Sequence, residues 1–365
     1  MLIPPIQKIY FGSPGTGKSY KIRNEIAPSL GILPNSGNYI AAVFHPEYTY
    51  GDFMGKLMPY TNDSKKVEYS FYCGHFLKAL AQAYKNFIHA KDNHDPQHVL
   101  LIIDEINRGN SSAIFGTVFQ LLDRESGGRS SYAVNISDLE FKGLLKEMSF
   151  EIENVYDENR HLKNTYYKFN RMNISKAQYE QYQTMIFETD AESNLAQARK
   201  IRIPSNLSIV ATMNTSDNSI YFMDSAFKRR WDWEFVDVKM DYNTNPGLQK
   251  RYLLDSHQKP IKWTDFIDNL NAFFIDNHDS VRKIEDKQLG YFFINTVDAN
   301  HRIPEQAIKN NLMYFVWDNV FNMDKKPLFK LLDVKEKKEL VTFGQFTAKI
   351  QIFIDEISKY SSKSK

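Results

Sequence analysis

Three short stretches carry residue types that do phosphate chemistry. The first is Gly12-Ser13-Pro14-Gly15-Thr16-Gly17-Lys18-Ser19, which fits G-x-x-x-x-G-K-[ST], the phosphate-cradling P-loop. Its glycines let the backbone wrap a phosphate chain with N–H groups turned inward. Lys18 can reach the β- and γ-phosphates, and the Ser19 hydroxyl can hold Mg²⁺. The second is Asp104-Glu105, at the end of the apolar run His98-Val99-Leu100-Leu101-Ile102-Ile103. With a P-loop upstream it reads as Walker B: Asp104 belongs to the Mg²⁺ shell, and Glu105 is placed to polarise an attacking water as general base. The third is Asn214-Thr215-Ser216-Asp217, after the apolar run Ser208–Met213. Asn214 offers a neutral amide to the γ-phosphate or to the water.

These stretches need elements to hold them. Ile6–Phe11 reads as a buried strand leading into the P-loop, and Tyr20–Ala27 as a helix lasting until Pro28, whose N-terminal dipole favours a phosphate. Tyr39–Phe44 reads as a second buried strand. Residues 75–90 place Phe76, Leu77, Leu80, Ala81 and Tyr84 on one helical face. Continuous apolar runs such as 98–103 and 208–213 are the pattern of central parallel strands, and ligands bind beyond the carboxyl ends of such strands. Asn110 or Ser111 can cap a helix carrying Ile114, Phe115, Val118, Phe119, Leu121 and Leu122. Phe222–Trp231 reads as a short helix ending in Lys228, Arg229 and Arg230, cations that suit a helix C-terminus, followed by a last strand with Trp233, Phe235 and Val236.

The expected fold class is therefore α/β: a P-loop core with a parallel sheet flanked by helices over residues 1–240, and a small helical domain over 241–365. In the latter, Phe266, Ile267, Leu270, Phe273 and Phe274 share one face. Pro304 opens a second helix, and Phe343, Phe346, Ile350, Phe353 and Ile357 form a third stripe. Residues 124–204 interrupt the core with a polar insertion. Ser175 and Gln178 have capping-box spacing, so 176–200 reads as helical. A solvated insertion is the favoured reading; the alternation of Tyr and basic residues around Arg160 to Arg171 leaves open a surface for a partner or nucleic acid. His45 reads as a strand cap, with ligand contact as the alternative. Ser361–Lys365 reads as a frayed tail.

Across 365 residues the net charge is +2 and hydrophobic residues make up 42%, which supports an ordinary globular core and gives no bulk bias toward nucleic acid or membrane. The single cysteine, Cys73, excludes an internal disulfide framework and suits a reducing compartment; a buried structural thiol is expected. With no apolar run near the roughly 20 residues of a membrane span and no signal-peptide pattern, the expectation is a soluble cytoplasmic protein with no membrane partner.

The combination resembles the AAA+ NTPases, and within them the McrB-like proteins of modification-dependent restriction systems. The matching stretches are Gly12–Ser19, Phe44-His45-Pro46 with Tyr50-Gly51-Asp52-Phe53, and Leu101-Ile102-Ile103-Asp104-Glu105-Ile106-Asn107-Arg108-Gly109. Ile203-Pro204-Ser205-Asn206-Leu207 with Ala211–Asp217, Met223-Asp224-Ser225-Ala226-Phe227-Lys228-Arg229-Arg230 and Asp286-Lys287-Gln288-Leu289-Gly290 match too. They span nearly the whole chain. The resemblance implies an AAA+ core with a helical lid and Asn214 as sensor-1. It makes Arg229 and Arg230 candidate arginine fingers that complete a neighbouring subunit's site. It further implies Mg²⁺-dependent hydrolysis of GTP or ATP, a ring oligomer that is commonly a hexamer, and a McrC-like partner carrying the nuclease. DNA is engaged through that complex.

Two departures follow. McrB-like proteins carry a DNA-reading domain before the NTPase, whereas eleven residues precede Gly12 here; target recognition is expected in another subunit, in the 124–204 insertion, or nowhere. GTP is expected by resemblance. Asn214-Thr215-Ser216-Asp217 is comparable with the guanine-reading Asn-Lys-x-Asp, but residue 215 is Thr. A stretch beside Walker B faces the γ-phosphate, so Asp217 is expected to orient Asn214 or a neighbour's arginine. The alternatives are a MoxR-like ATPase that remodels proteins and a scaffold that binds nucleotide without hydrolysing it. No nuclease constellation stands out.

Overall fold

The computed structural model describes residues 3–90, 95–187, 199–215, 221–238 and 246–360. Asp217, the stretch 188–198 that was read as continuing a helix, and the tail Ser361–Lys365 lie outside the described residues. The chain divides into two compact units that do not follow chain order: Met1–Ile9, Ser19–Met213 and Ser219–Glu234 form one, and Tyr10–Lys18, Asn214–Asn218 and Phe235–Lys365 the other.

Five strands make the central sheet: β1 (Gln7–Gly12), β2 (Tyr39–Val43), β3 (Val99–Asp104), β4 (Leu207–Asn214) and β5 (Asp232–Phe235), in the order β5-β1-β4-β3-β2. β3 runs parallel to both neighbours, pairing Ile103 with Ala42 on one side and with Ala211 on the other. Its residues Val99–Ile103 are buried, as are Ile209, Val210 and Ala211 of β4. A strand covered on both faces must be apolar at every position, and that is why these two runs lack alternation. Helix His75–His89 buries Phe76, Leu77, Leu80 and Tyr84. Asn110 caps Ser111–Phe115 by accepting from the Ala113 N–H at 3.2 Å. The mixed α/β sheet flanked by helices agrees with the fold class read from the sequence.

Two expectations need correction. The helix after the P-loop does not stop before Pro28: Lys18–Lys21 continues as a π-helical turn Ile22–Ile26 and a last turn Ala27–Ser29. Pro28 is tolerated because it falls in the first positions of that last turn. The helix predicted over 176–200 covers Lys176–Ile186. Phe187 then turns extended and is buried, its ring against Tyr84 and Phe141. By Lys200–Ile201 the chain is a strand paired with Val134–Asn135.

The insertion is more structured than its polarity suggests. Helix Asp138–Glu147 starts with a Ser137/Glu140 capping box. The strands Phe150–Tyr156, Leu162–Phe169 and Met172–Ile174 form an antiparallel sheet, one end of which packs Phe150, Tyr167 and Phe169 against Tyr179 and Tyr182. A second ribbon, Gly55–Thr61 with Val67–Cys73, follows the short helix Tyr50–Phe53. Cys73 at its base is half-buried, and burial pushes its thiol up to about 12.

The second unit has its own core, in which Trp263, Phe266, Phe274, Leu312, Phe321 and Phe353 are among the buried side chains. Helix Trp263–Asp276 buries the face formed by Phe266, Ile267, Leu270, Phe273 and Phe274. Pro304 is the N-cap of a helix that begins at Glu305. The third stripe is two helices, Phe343–Ala348 and Ile350–Ser358, parted at Lys349. A small hairpin, Tyr252–Leu254 with Pro260–Lys262, was not foreseen. Among the described residues no helix is long and apolar enough to cross a membrane.

Candidate nucleotide site

In the second unit the P-loop is bent by glycines at positive φ: Gly15 at 75° and Gly17 at 87°. Successive N–H groups in such a turn form an anion-binding concavity. The Lys18 ammonium bonds the Gly12 and Ser13 carbonyls at 3.0 and 2.8 Å and is buried, so the charge is held within the loop. Thr16 bonds the Ser13 carbonyl at 3.1 Å.

A strap from residues 285–292 of the same unit is bonded to this loop. The Gly290 and Phe292 N–H groups donate to the Pro14 and Gly15 carbonyls at 3.0 and 2.9 Å, and the Ser13 hydroxyl donates to the Glu285 carbonyl at 2.7 Å. A Cβ on Gly290 would sit 2.3 Å from the Gly15 oxygen, so only glycine fits. The strap is pinned in turn. Asn271 donates to the Leu289 carbonyl and accepts from the Leu289 N–H, both at 2.8 Å, and the Trp263 indole donates to the Tyr291 carbonyl at 2.8 Å. Residues 286–290 were noted in the sequence only as a matching stretch, and Asn271 and Trp263 not at all as site residues. An indole N–H and a carboxamide buried at the first and ninth positions of the otherwise apolar face of helix Trp263–Asp276 were the signal.

In the first unit Ser19 and Asp104 come together, hydroxyl to Oδ1 at 3.5 Å. Both are hard oxygen donors of the kind Mg²⁺ takes. Among the described residues no cluster of three or more His, Cys, Asp or Glu could hold a metal ion. Thr212, which sequence reading passed over as one more residue of a buried run, donates to Asp104 Oδ1 at 3.0 Å and accepts from the Glu105 N–H at 3.1 Å. Glu105 itself is left-handed, φ 57° and ψ 46°, a conformation that costs a non-glycine residue about 1–2 kcal/mol.

The two arginines are placed differently. Arg230 reaches Asp123 Oδ2 through Nε at 3.0 Å and Nη2 at 2.7 Å, donates to the Ala226 carbonyl at 2.7 Å, and lies over the Phe119 ring. Arg229 caps the helix Ser225–Lys228 and is exposed; among the described residues its guanidinium has no hydrogen bond or ion pair. Asn214 is the last residue of β4 and half-buried. His45 is exposed, its ring edge-on to Tyr48.

No family model matches the chain. A type II restriction enzyme component, BsuMI component YdiS of Bacillus subtilis, is 27% identical, with 92% of this chain and 85% of that protein covered. The type IV methyl-directed restriction enzyme EcoKMcrB subunit of Escherichia coli is 23% identical over 68% of this chain and 38% of its own length. A solved structure from Cytophaga hutchinsonii described as an ATPase is 11% identical, covering 94% of this chain and 84% of that one at a TM-score of 0.24, a similarity too slight to bear on the fold. The chain is thus similar to an McrB subunit and to a second restriction component, and this agrees with the McrB-like AAA+ resemblance drawn from its motifs.

Proposed function

We propose that this chain is the nucleotide-hydrolysing motor subunit of a restriction complex. The observation that carries the reading is the end of β3, where Asp104 meets the Ser19 hydroxyl and Glu105 follows directly. The similarity to YdiS along 92% of the chain supports the restriction setting. The two relatives are named for different classes of restriction, so the proposal extends to the motor and not to the kind of DNA target.

The N–H groups of Gly12–Ser19 and the Lys18 charge hold the phosphates, Ser19 and Asp104 hold Mg²⁺, and Glu105 takes the proton of the attacking water. Mg²⁺ neutralises charge on the transferred phosphoryl group when bound. Asn214 orients the water or the γ-phosphate, Asp217 supports it, and Arg229 is supplied to the neighbouring subunit of a ring, a hexamer by resemblance. GTP is preferred over ATP. Hydrolysis acts on DNA through the complex and licenses a McrC-like partner that carries the nuclease.

The test is a pair of variants read by labelled-nucleotide titration and phosphate release. Lys18→Ala should abolish binding. Glu105→Gln should bind as wild type and lose about 10²–10⁴ in turnover, the span of general acid–base contributions. Unchanged turnover in Glu105→Gln would remove it from the mechanism. DNA cleavage by the purified chain alone would overturn the division of labour.

A further inference from the structure

The hydroxyl of Thr212 has one proton and two lone pairs. The proton goes to Asp104 Oδ1 at 3.0 Å and a lone pair receives the Glu105 N–H at 3.1 Å. The side chain is 3% exposed, so water does not substitute for either bond. Packing does not ask for a hydroxyl here. The neighbours Ile209, Val210 and Ala211 are apolar and fully buried, and valine has threonine's shape. What fixes the position is register. β4 pairs Ala211 with Ile103 in parallel, so Thr212 comes alongside Asp104, the last residue of its strand.

The same bond holds an unusual backbone. Glu105 stands in the left-handed region, and its two peptide groups are both engaged: its N–H by Thr212 and its carbonyl by the Arg108 N–H at 2.9 Å. Asp104 Oδ1 is shared in turn with Ser19 at 3.5 Å. One hydroxyl therefore touches the carboxylate on the metal side and the peptide that carries the base. We infer that Thr212 is a positioning residue that joins Asp104 to the main chain of Glu105, so that the base is set in place by the same contact that orients the metal-side carboxylate. The inference rests on the reading of Glu105 as general base.

The test compares Thr212→Val, which keeps the shape and removes the hydroxyl, with Thr212→Ser, which keeps the hydroxyl. Each is measured for turnover, for KM, for affinity toward a labelled nucleotide with and without Mg²⁺, and for Tm. Thr212→Val should lose about tenfold to a hundredfold in kcat, less than the roughly 10²–10⁴ that loss of the base itself removes, because the base is still present but misplaced. Its nucleotide affinity without Mg²⁺ should stay within about twofold of wild type, any loss of affinity should appear only with Mg²⁺, and Thr212→Ser should recover most of the lost kcat. In a double-mutant cycle, replacing Glu105 by Gln should cost the Thr212→Val protein less than it costs wild type, because residues acting through one another are not additive. Equal losses in Val and Ser, a fall in nucleotide affinity together with Tm, additive effects in the cycle, or wild-type kcat in Thr212→Val would each overturn the inference. A wild-type rate in Glu105→Gln alone would instead remove the base assignment on which it rests.

Discussion

The P-loop and the end of β3 are held by opposite means. The P-loop is held through main-chain carbonyls: those of Pro14 and Gly15 accept the Gly290 and Phe292 N–H groups, and those of Gly12 and Ser13 accept the Lys18 ammonium. The acidic end of β3 is held by side chains, through Thr212 and Ser19 on Asp104 and Thr212 on the Glu105 N–H. Backbone contacts constrain sequence only where a Cβ has no room, so the first region tolerates many residues and demands glycine at a few places. Side-chain contacts fix chemistry at single positions, so in the second region a hydroxyl can be lost without disturbing the fold.

The arginines give the largest expected effect, because they carry this contrast to the helix Ser225–Lys228. Arg230 is tied into its own subunit by Asp123, the Ala226 carbonyl and the Phe119 face. Arg229 is exposed. Arg229→Ala should lose about 10³–10⁵ in turnover, the scale of an arginine finger, with Tm unchanged. Arg230→Ala should lose about 1–3 kcal/mol of stability from its charged hydrogen bonds, read by denaturant unfolding. Mixed with Glu105→Gln and allowed to exchange subunits, Arg229→Ala protein should regain hydrolysis above both parents. No gain despite demonstrated co-assembly would place the arginine's action within its own subunit.

Gly290→Ala probes the main-chain side. With the Gly15 oxygen 2.3 Å from the new methyl, the strap or the loop must move. Overpacking of this kind costs about 1–3 kcal/mol, and if the loop bears it, nucleotide affinity should fall by roughly fivefold to a hundredfold. The helical core around Phe266 and Phe353 should stay folded, as judged by near-UV circular dichroism. Wild-type affinity would mean that the strap does not shape the loop.

The smallest effect belongs to Cys73. Burial raises its thiol from the ordinary 9.0 to about 12, so the thiolate is scarce at neutral pH. Iodoacetamide at pH 8 should label the native protein far more slowly than the denatured one, by mass spectrometry, and turnover should not change. A raised folded pKa contributes stability that is present below the unfolded value and lost as pH rises through the folded one. The contribution from Cys73 should therefore fade between about pH 9 and pH 12. Rapid native labelling would contradict the burial.

What the sequence disclosed was local. Gly12–Ser19, Val99–Glu105 and the apolar face of His75–His89 are patterns complete within fifteen residues, and the central strands follow from them. The strands at 150–174 were hidden because most of their residues face water on both sides, so no period of two emerges. Their turns are set by Ser149, Arg160, Asn170 and Arg171 at positive φ, where no glycine marks the place. The hidden parts of the candidate site are those made at long range. Thr212 meets Glu105 across 107 positions and Ser13 meets Glu285 across 272, and neither run looks unusual by itself.

That last separation bears on how the protein is born. A chain leaving the ribosome has its whole phosphate-loop motif once Ser19 has emerged, yet Glu285, Gly290 and Phe292 are still to be made. Contacts so far apart in sequence close late, after the loop entropy between them has been lost. The strands of the Gly55–Cys73 ribbon, by contrast, are adjacent and can pair within microseconds of synthesis. The contacts of Ser13, Pro14 and Gly15 with residues 285–292 are therefore among the last to close, and early folding of the N-terminal half proceeds without them.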